Sequence, residues 1–412
     1  MKIIVIGGGP AGIMAAIIAA NHGADVELWE RNKQLGRKLA ITGKGRCNIT
    51  NAVPNREELV KNIPGNGVFL HSAFARFAPD DTMAFFRTAG LELKIERGRR
   101  VFPASDKAED VITTLESCLE QARVTVRRGI RAKKLAIEKG TVTGVYDYSG
   151  TFHKTEKLII ATGGKTYPAT GSTGDGYILA KQAGHSITSL NPSLVPLETE
   201  EIWPSKISGL ALKNVEAKIF FGEKQLDKAF GELLFTHFGL SGPIILSLSK
   251  SACAQSGQGK GMRVIINLKP ALSTEQLDQR LQRNNAKFSR KLFRNSLNEL
   301  LPSSLIPIFI DLCNIDGDKP VNQLTREDRN IVCQIMQGLP LTLKGARPIE
   351  EAIVTAGGVS IQEIIPKTMA SKLVKGLHFA GEVMDVDGYT GGYNLQIAWS
   401  SGYIAGISAA SI

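Results

Sequence analysis

The sequence predicts an α/β protein in which both ends of the chain build one Rossmann-like, dinucleotide-binding domain and the middle is an excursion from it. Three observations carry this. A strand, a glycine turn and a helix open the chain, and a second strand–glycine–helix run, Gly381 to Leu395, closes it. Between them, from about residue 190, the character of the sequence changes.

The opening is the most explicit. Residues 2–6 are a β-branched run, and Gly7-Gly8-Gly9-Pro10-Ala11-Gly12 follows with glycines at the first, third and sixth places of G-x-G-x-x-G. Ile13 to His22 suits a packed helix, and Asp25 to Trp29 a second strand ending in Glu30. Gly7 permits the tight turn, Gly9 lets a pyrophosphate approach the backbone, and Gly12 lets helix and strand pack closely. Pro10 and Ala11 start the helix, whose N-terminus faces the phosphates. Glu30, with Arg31 beside it, lies roughly 20 residues beyond the glycines, where a carboxylate accepts hydrogen bonds from a ribose hydroxyl. Residues 3–20 carry no charge, but three glycines and Pro10 interrupt them, so they read as strand–turn–helix rather than a leader or membrane span.

Helical patterns follow around 55–62 and 79–90, and a strand over Arg123 to Arg128. Lys133 to Ile137 and Val142 to Asp147 alternate around turn signals, as in a small β-meander. Leu158 to Ala161 is a buried-type strand, and Gly176 to Gly184 a helix. Prolines at 192, 196 and 204 and short strands at 215–221 and 263–268 suggest an inserted β-rich domain. Residues 273–338 look helical and basic, with Pro302 and Pro307 where helices would end or kink. The tail returns to a strand, Leu377 to Ala380, and an apolar helix, Ile397 to Ile407. The expected domains are 1–189 with 366–412, then 190–270 with 340–365, and 271–339.

Length and composition are those of a multidomain globular protein. The formal charge of +11 suits an anionic partner, and a dinucleotide is one. The 5 cysteines are scattered, with neither a disulfide framework nor metal-ligand spacing, which points to a reducing cytoplasm and no metal.

Four further segments carry chemistry. In Gly36 to Asn48, closely spaced glycines, Gly43 and Gly45 among them, make anion nests, and Arg37, Lys38, Lys44 and Arg46 add charge. Thr42 and Asn48 belong to the same loop; Cys47 lacks a C-x-x-C partner and reads as a packing residue. Ala161-Thr162-Gly163 ends a strand at the carboxyl edge of the sheet, where ligands bind. In the tail, Gly381-Glu382 presents an acid that can hold sugar-alcohol hydroxyls, and after Gly391-Gly392 a helix starts near Asn394 and Leu395. Its N-terminus can stabilise negative charge on a ring. A ribityl chain and a ring that becomes anionic on reduction are the two features of a flavin, and NAD has no ribityl chain to match the second acid. In the insert, His237 sits between apolar residues and glycine, either a structural histidine or a substrate-facing acid–base group. Lys165, Tyr167 and Tyr393 are lesser catalytic candidates. No second strand–G-x-G-x-x-G–helix unit appears, so any NAD(P)H binds transiently.

Together these blocks resemble the three-domain bacterial flavoproteins that include BaiN/YhiN-like proteins and aminoacetone-oxidase-like enzymes. The matching motifs run from Gly7–Gly12 through Lys38–Asn48, Ala161–Gly176 and Leu234–Pro243 to Gly381–Gly402. The resemblance implies a glutathione-reductase-type FAD domain built from both termini, an inserted β-barrel-like domain, and a small helical domain within that insert. It places FAD contacts on Gly9, Ala11, Glu30, the 37–48 loop, Thr162-Gly163, Glu382 and Gly392 to Leu395; a strand near Ala132 would offer backbone to the adenine. Family members are variously reductases and amine-type oxidases. The expected function is therefore FAD-dependent hydride transfer to or from a small or medium organic substrate. The alternative is an RNA-modifying flavoprotein, motivated by the net charge and by Arg280, Arg283, Lys287, Arg290, Lys291 and Arg294. Its plainer competitor is a helix with a solvated basic face.

Overall fold

The computed structural model describes residues 1–255 and 261–411. They divide into two compact units, Met1–Pro192 with Ile349–Ile412, and Ser193–Pro348.

The first unit is a Rossmann-type domain. Strand β1 (Lys2–Ile6) leads through the glycine turn into helix α1 (Pro10–Asn21) and strand β2 (Asp25–Glu30). Five parallel strands form the sheet in the order Leu377–Phe379, Lys157–Ile160, β1, β2, Thr125–Arg128. The central β1 reads Lys-Ile-Ile-Val-Ile because both its faces are covered, and four of its residues are buried. The strand expected from Arg123 begins only at Thr125, because Arg123 takes a left-handed turn (φ 58°) after the preceding helix, Ala108–Gln121. The meander is present as three antiparallel strands, Ala132–Glu138, Thr141–Asp147 and Phe152–Lys154. The C-terminal helix, Tyr393–Ala410, lies along α1. Gly402 makes that approach possible, since a Cβ there would overlap the Ala11 carbonyl oxygen.

The second unit is built on a closed antiparallel barrel of six strands. Around it run Leu197–Thr199, Gly239–Ser241, Lys224–Thr236, Ala211–Phe221, Met262–Asn267 and Leu339–Ala346. Val215, Ala217 and Ile219, then Leu339, Leu341 and Leu343, point inward at every second position, the period of a pleated strand. The helices Thr274–Lys287, Ile306–Cys313 and Arg326–Gln337 share this barrel's apolar core through Leu277, Leu281, Phe309, Val332 and Met336. Pro307 does not end a helix as expected: it occupies the first turn of Ile306–Cys313, where a missing N–H leaves no bond unmade. The long strand Lys224–Thr236 is not legible in the sequence, because Gly231 (φ 151°) and a register shift break its alternation. Residues 349–365 pack within the first unit.

Candidate functional site

In the first unit an open cleft, about 1340 Å³ with its mouth included, runs past the carboxyl ends of the sheet strands. At one end lies the glycine turn. Gly7 takes φ 115°, closed by its N–H donating to the Trp29 carbonyl (2.8 Å). Gly9 is extended, Pro10 is the first helical residue, and Gly7, Gly9, Pro10 and Ala11 all line the cleft. A Cβ on Gly9 would meet nothing within 4 Å, so the floor of the cleft is bare backbone there. Gly12 does not reach the wall; it faces inward, where a Cβ would run into the Gly7 carbonyl.

Next along the wall is Glu30, buried and rigidly held. The Gly8 N–H donates to its Oε2 (2.9 Å), and Asn32 donates to Oε1 through its backbone N–H (2.8 Å) and Nδ2 (2.7 Å). A carboxylate has room for about four donors, so one more, such as a ribose hydroxyl, can be taken. Arg31, Arg131 and Ala132 line the same end. Both arginines are engaged by Asp175: Arg131 in a two-point pair (2.6 and 2.7 Å), Arg31 at 3.2 Å. Burial raises the pKa of Asp175, but Arg131, Thr173 and Arg31 outweigh it and hold the carboxyl below its ordinary value.

Ala161, Thr162 and Gly163 line the middle, and Ala161 continues the sheet by donating to the Ile6 carbonyl (2.8 Å). Thr162 Oγ1 is buried without a hydrogen-bond partner. It faces the interior of the unit and not the cleft, since a Cβ on Gly176 would run into it.

At the far end Lys38, from helix α2 (Arg37–Ile41), donates to Thr166 Oγ1 (2.7 Å) and to both oxygens of Glu382 (2.9 and 3.2 Å). Glu382 Oε1 also accepts the Thr355 N–H (2.9 Å). A Cβ on Gly164 would come within 2.6 Å of that oxygen, so glycine is required for this close approach. Thr42, Gly381, Asn394 and Leu395 complete the wall here, whereas Arg37 donates to Asn32 Oδ1 (3.1 Å) beside Glu30. The Asn394 amide is locked to Gly388 (2.8 Å each way), which fixes the start of the C-terminal helix.

The structure does not bring Gly43, Gly45, Arg46, Cys47, Asn48, Gly391 or Gly392 to this wall. Each does something else. Arg46 turns away to Glu96 and Asp106 and lies over the Phe102 ring (4.2 Å). Cys47 is fully buried and its thiol is pushed up to about 12 by burial, so it is no redox nucleophile. Gly43 and Gly45 take left-handed φ values around Lys44, shaping an exposed turn, and Asn48 packs behind Gly43. Gly391 accepts the Asn51 amide (2.9 Å), and Gly392 abuts the Thr50 backbone. Tyr393 is buried, with its phenol pushed up by that burial, and does not line the cleft. His237 belongs to the second unit, in the turn between Lys224–Thr236 and Gly239–Ser241, exposed and edge-on to Phe238 (4.8 Å).

Sequence reasoning missed Asn32, Arg131, Thr166 and Thr355; Asp175 lies in the run 171–176, which reads as a loop extending the Ala161–Gly164 strand end along a pocket. The run Thr355-Ala356-Gly357-Gly358 was the available signal, small residues where backbone passes close to other backbone. The basic residues Arg280, Arg283, Lys287, Arg290, Lys291 and Arg294 are all exposed. Lys287 pairs with Glu299 and Arg294 with Asp318, while the other four make no ion pair among the described residues. Among the described residues no cluster of ligands suits a metal, and no helix is long and apolar enough to cross a membrane.

The residues present fit FAD: two fixed carboxylates at opposite ends of one cleft, and bare backbone at Gly9. Comparison with known proteins agrees. Residues 1–408 match the model of the HI0933-like protein Rossmann domain. The chain is 32% identical over 414 residues to 3-dehydro-bile acid delta(4,6)-reductase of Clostridium scindens, covering 99% of each chain. It is 33% identical over 401 residues to ribosomal RNA dihydrouridine synthase of Escherichia coli, covering 97% of this chain and 96% of that one. In fold it is similar to 3-ketosteroid delta1-dehydrogenase of Sterolibacterium denitrificans, with TM-score 0.55 at 12% identity over 99% of both chains. The chain belongs to the HI0933-like Rossmann family and is an FAD-dependent oxidoreductase.

Proposed function

We propose that this chain is a reductase that adds a hydride and a proton across an activated carbon–carbon double bond, with NAD(P)H as the transient source of electrons. The observation that carries the reading is the pair of held carboxylates, Glu30 and Glu382, at the two ends of one cleft. A dinucleotide with a ribose at one end and a ribityl chain at the other satisfies both. The direction of the reaction is supported by the full-length relatives: a delta(4,6)-reductase and a dihydrouridine synthase are both names for adding hydrogen to a double bond. When bound, the flavin supplies the hydride; the chain binds and orients it. The substrate is a small or medium conjugated carbonyl compound.

A second reading is favoured by one observation. Arg280 and Arg283, on one face of Thr274–Lys287, and Arg290 and Lys291 just beyond it are exposed cations without an ion pair among the described residues. Such a stripe suits the phosphates of RNA, in which case the double bond belongs to a uracil.

Anaerobic mixing with NADH and NADPH tests the reductase. Bleaching of the yellow flavin band is expected, and an unchanged band with both would overturn it. The reduced enzyme is then given a steroid dienone or ribosomal RNA lacking dihydrouridine. Reoxidation by the dienone alone supports the first reading, and dihydrouridine formation with salt-sensitive RNA binding the second.

A further inference from the structure

Lys38 and Glu382 are 344 residues apart in sequence yet form an ion pair on the cleft wall. The Lys38 ammonium has three donors, and Thr166 Oγ1 with the two Glu382 oxygens occupies them (2.7, 3.2 and 2.9 Å). Glu382 is anchored from the other side by the Thr355 N–H (2.9 Å). Both side chains keep about a fifth of their surface open, on the cleft. A lysine in a phosphate-binding loop is ordinarily read as a phosphate ligand, yet here the ammonium is held by three protein oxygens at hydrogen-bond distance.

We propose that Lys38 is a positioning residue: by locking the Glu382 carboxylate between Thr166 and Thr355, it fixes the acceptor that takes the ribityl hydroxyls of FAD. It does not contact the diphosphate. This rests on the FAD reading. It also explains how one carboxylate can be desolvated beneath a cofactor without expelling it: Lys38 keeps the pair neutral. The pair further ties helix α2, from the first part of the chain, to the strand end at Gly381, so the cleft's far wall is closed by an interaction and not by chain connectivity.

Two ligands separate the alternatives. ADP carries the adenine, ribose and diphosphate but no ribityl chain; FAD carries all of them. With deflavinated protein, K38M is expected to weaken FAD by about 10-fold or more, the effect of losing a charge-assisted hydrogen bond. ADP affinity should stay at the wild-type value, and K38R should recover part of the FAD affinity. E382Q should show the same pattern, and K38M/E382Q should lose no more than the worse single variant. If K38M weakens ADP and FAD equally, Lys38 is a phosphate ligand or a fold residue and the proposal falls. Additive losses in the double variant, or wild-type FAD affinity in K38M, would overturn it as well. Failure of wild-type protein to bind FAD at all would instead defeat the cofactor reading.

Discussion

Gly9→Ala separates the fold from the site at a single atom. Gly9 sits at φ −90°, ψ −178°, extended backbone that alanine adopts freely, and a Cβ there meets nothing within 4 Å. Two small terms then compete in the apoprotein. Loss of glycine freedom in the unfolded chain stabilises by about 0.4–1 kcal/mol. Alanine is a poorer N-cap than glycine and returns a similar amount in the opposite sense. Their difference is within about 0.5 kcal/mol, which for a unit of this size moves Tm by roughly 2 °C at most. The cofactor feels something else. The methyl group fills the space through which a diphosphate must reach the N–H groups at the start of α1. Each charge-assisted bond of that kind is worth about 1.5–3 kcal/mol, so losing one weakens FAD about 10- to 100-fold. The assay is FAD titration of deflavinated wild-type and G9A protein by fluorescence quenching, alongside thermal melts of both apoproteins. Unchanged FAD affinity would refute the passage of the diphosphate over Gly9. A Tm lowered by many degrees would refute the open space around it.

Gly402→Ala should behave in the opposite way. Helix propensity favours alanine by about 1 kcal/mol, but its Cβ would overlap the Ala11 carbonyl, backbone that cannot swing aside, at about 1–3 kcal/mol. Both apoprotein Tm and FAD affinity should fall, because Ala11 lines the cleft; a raised Tm would show that the two helices have slack. His378 is buried and its pKa is lowered from 6.5 to about 4, first by burial and then by Lys157. Its depressed value means stability is complete above pH 6.5 and drains away as pH falls towards 4, by about 3 kcal/mol in all. Denaturant melts of wild type and H378Q between pH 7 and 4.5 should converge as pH falls, and parallel curves would sink the assignment.

Much of the first unit is legible in the sequence because its rules are local. The β1–turn–α1–β2 run needs only steric freedom at Gly7, bare backbone at Gly9 and an acid at the end of the next strand, and all three lie within 30 residues. The Gly381-Glu382 site and the helix start at Asn394 are written in the same short-range terms. The 37–48 loop shows where such reading stops. Its composition announces positive charge, but whether a guanidinium faces the cleft depends on which carboxylates the fold brings near. Arg46 finds Glu96 and Asp106, 50 and 60 residues on, and turns away. Lys38 finds Glu382 and stays.

The amino-acid sequence alone was enough to point to a dinucleotide site at the glycine turn of residues 7–12, and to a second acid supplied by the tail of the chain. It took the folded chain to show that Glu382 is clamped by Lys38, Thr166 and Thr355, that Arg31 and Arg131 answer to Asp175, and that six strands close into a barrel. Backbone turns are settled by the sterics of a few neighbouring residues, whereas a charge is satisfied by whatever opposite charge the topology delivers.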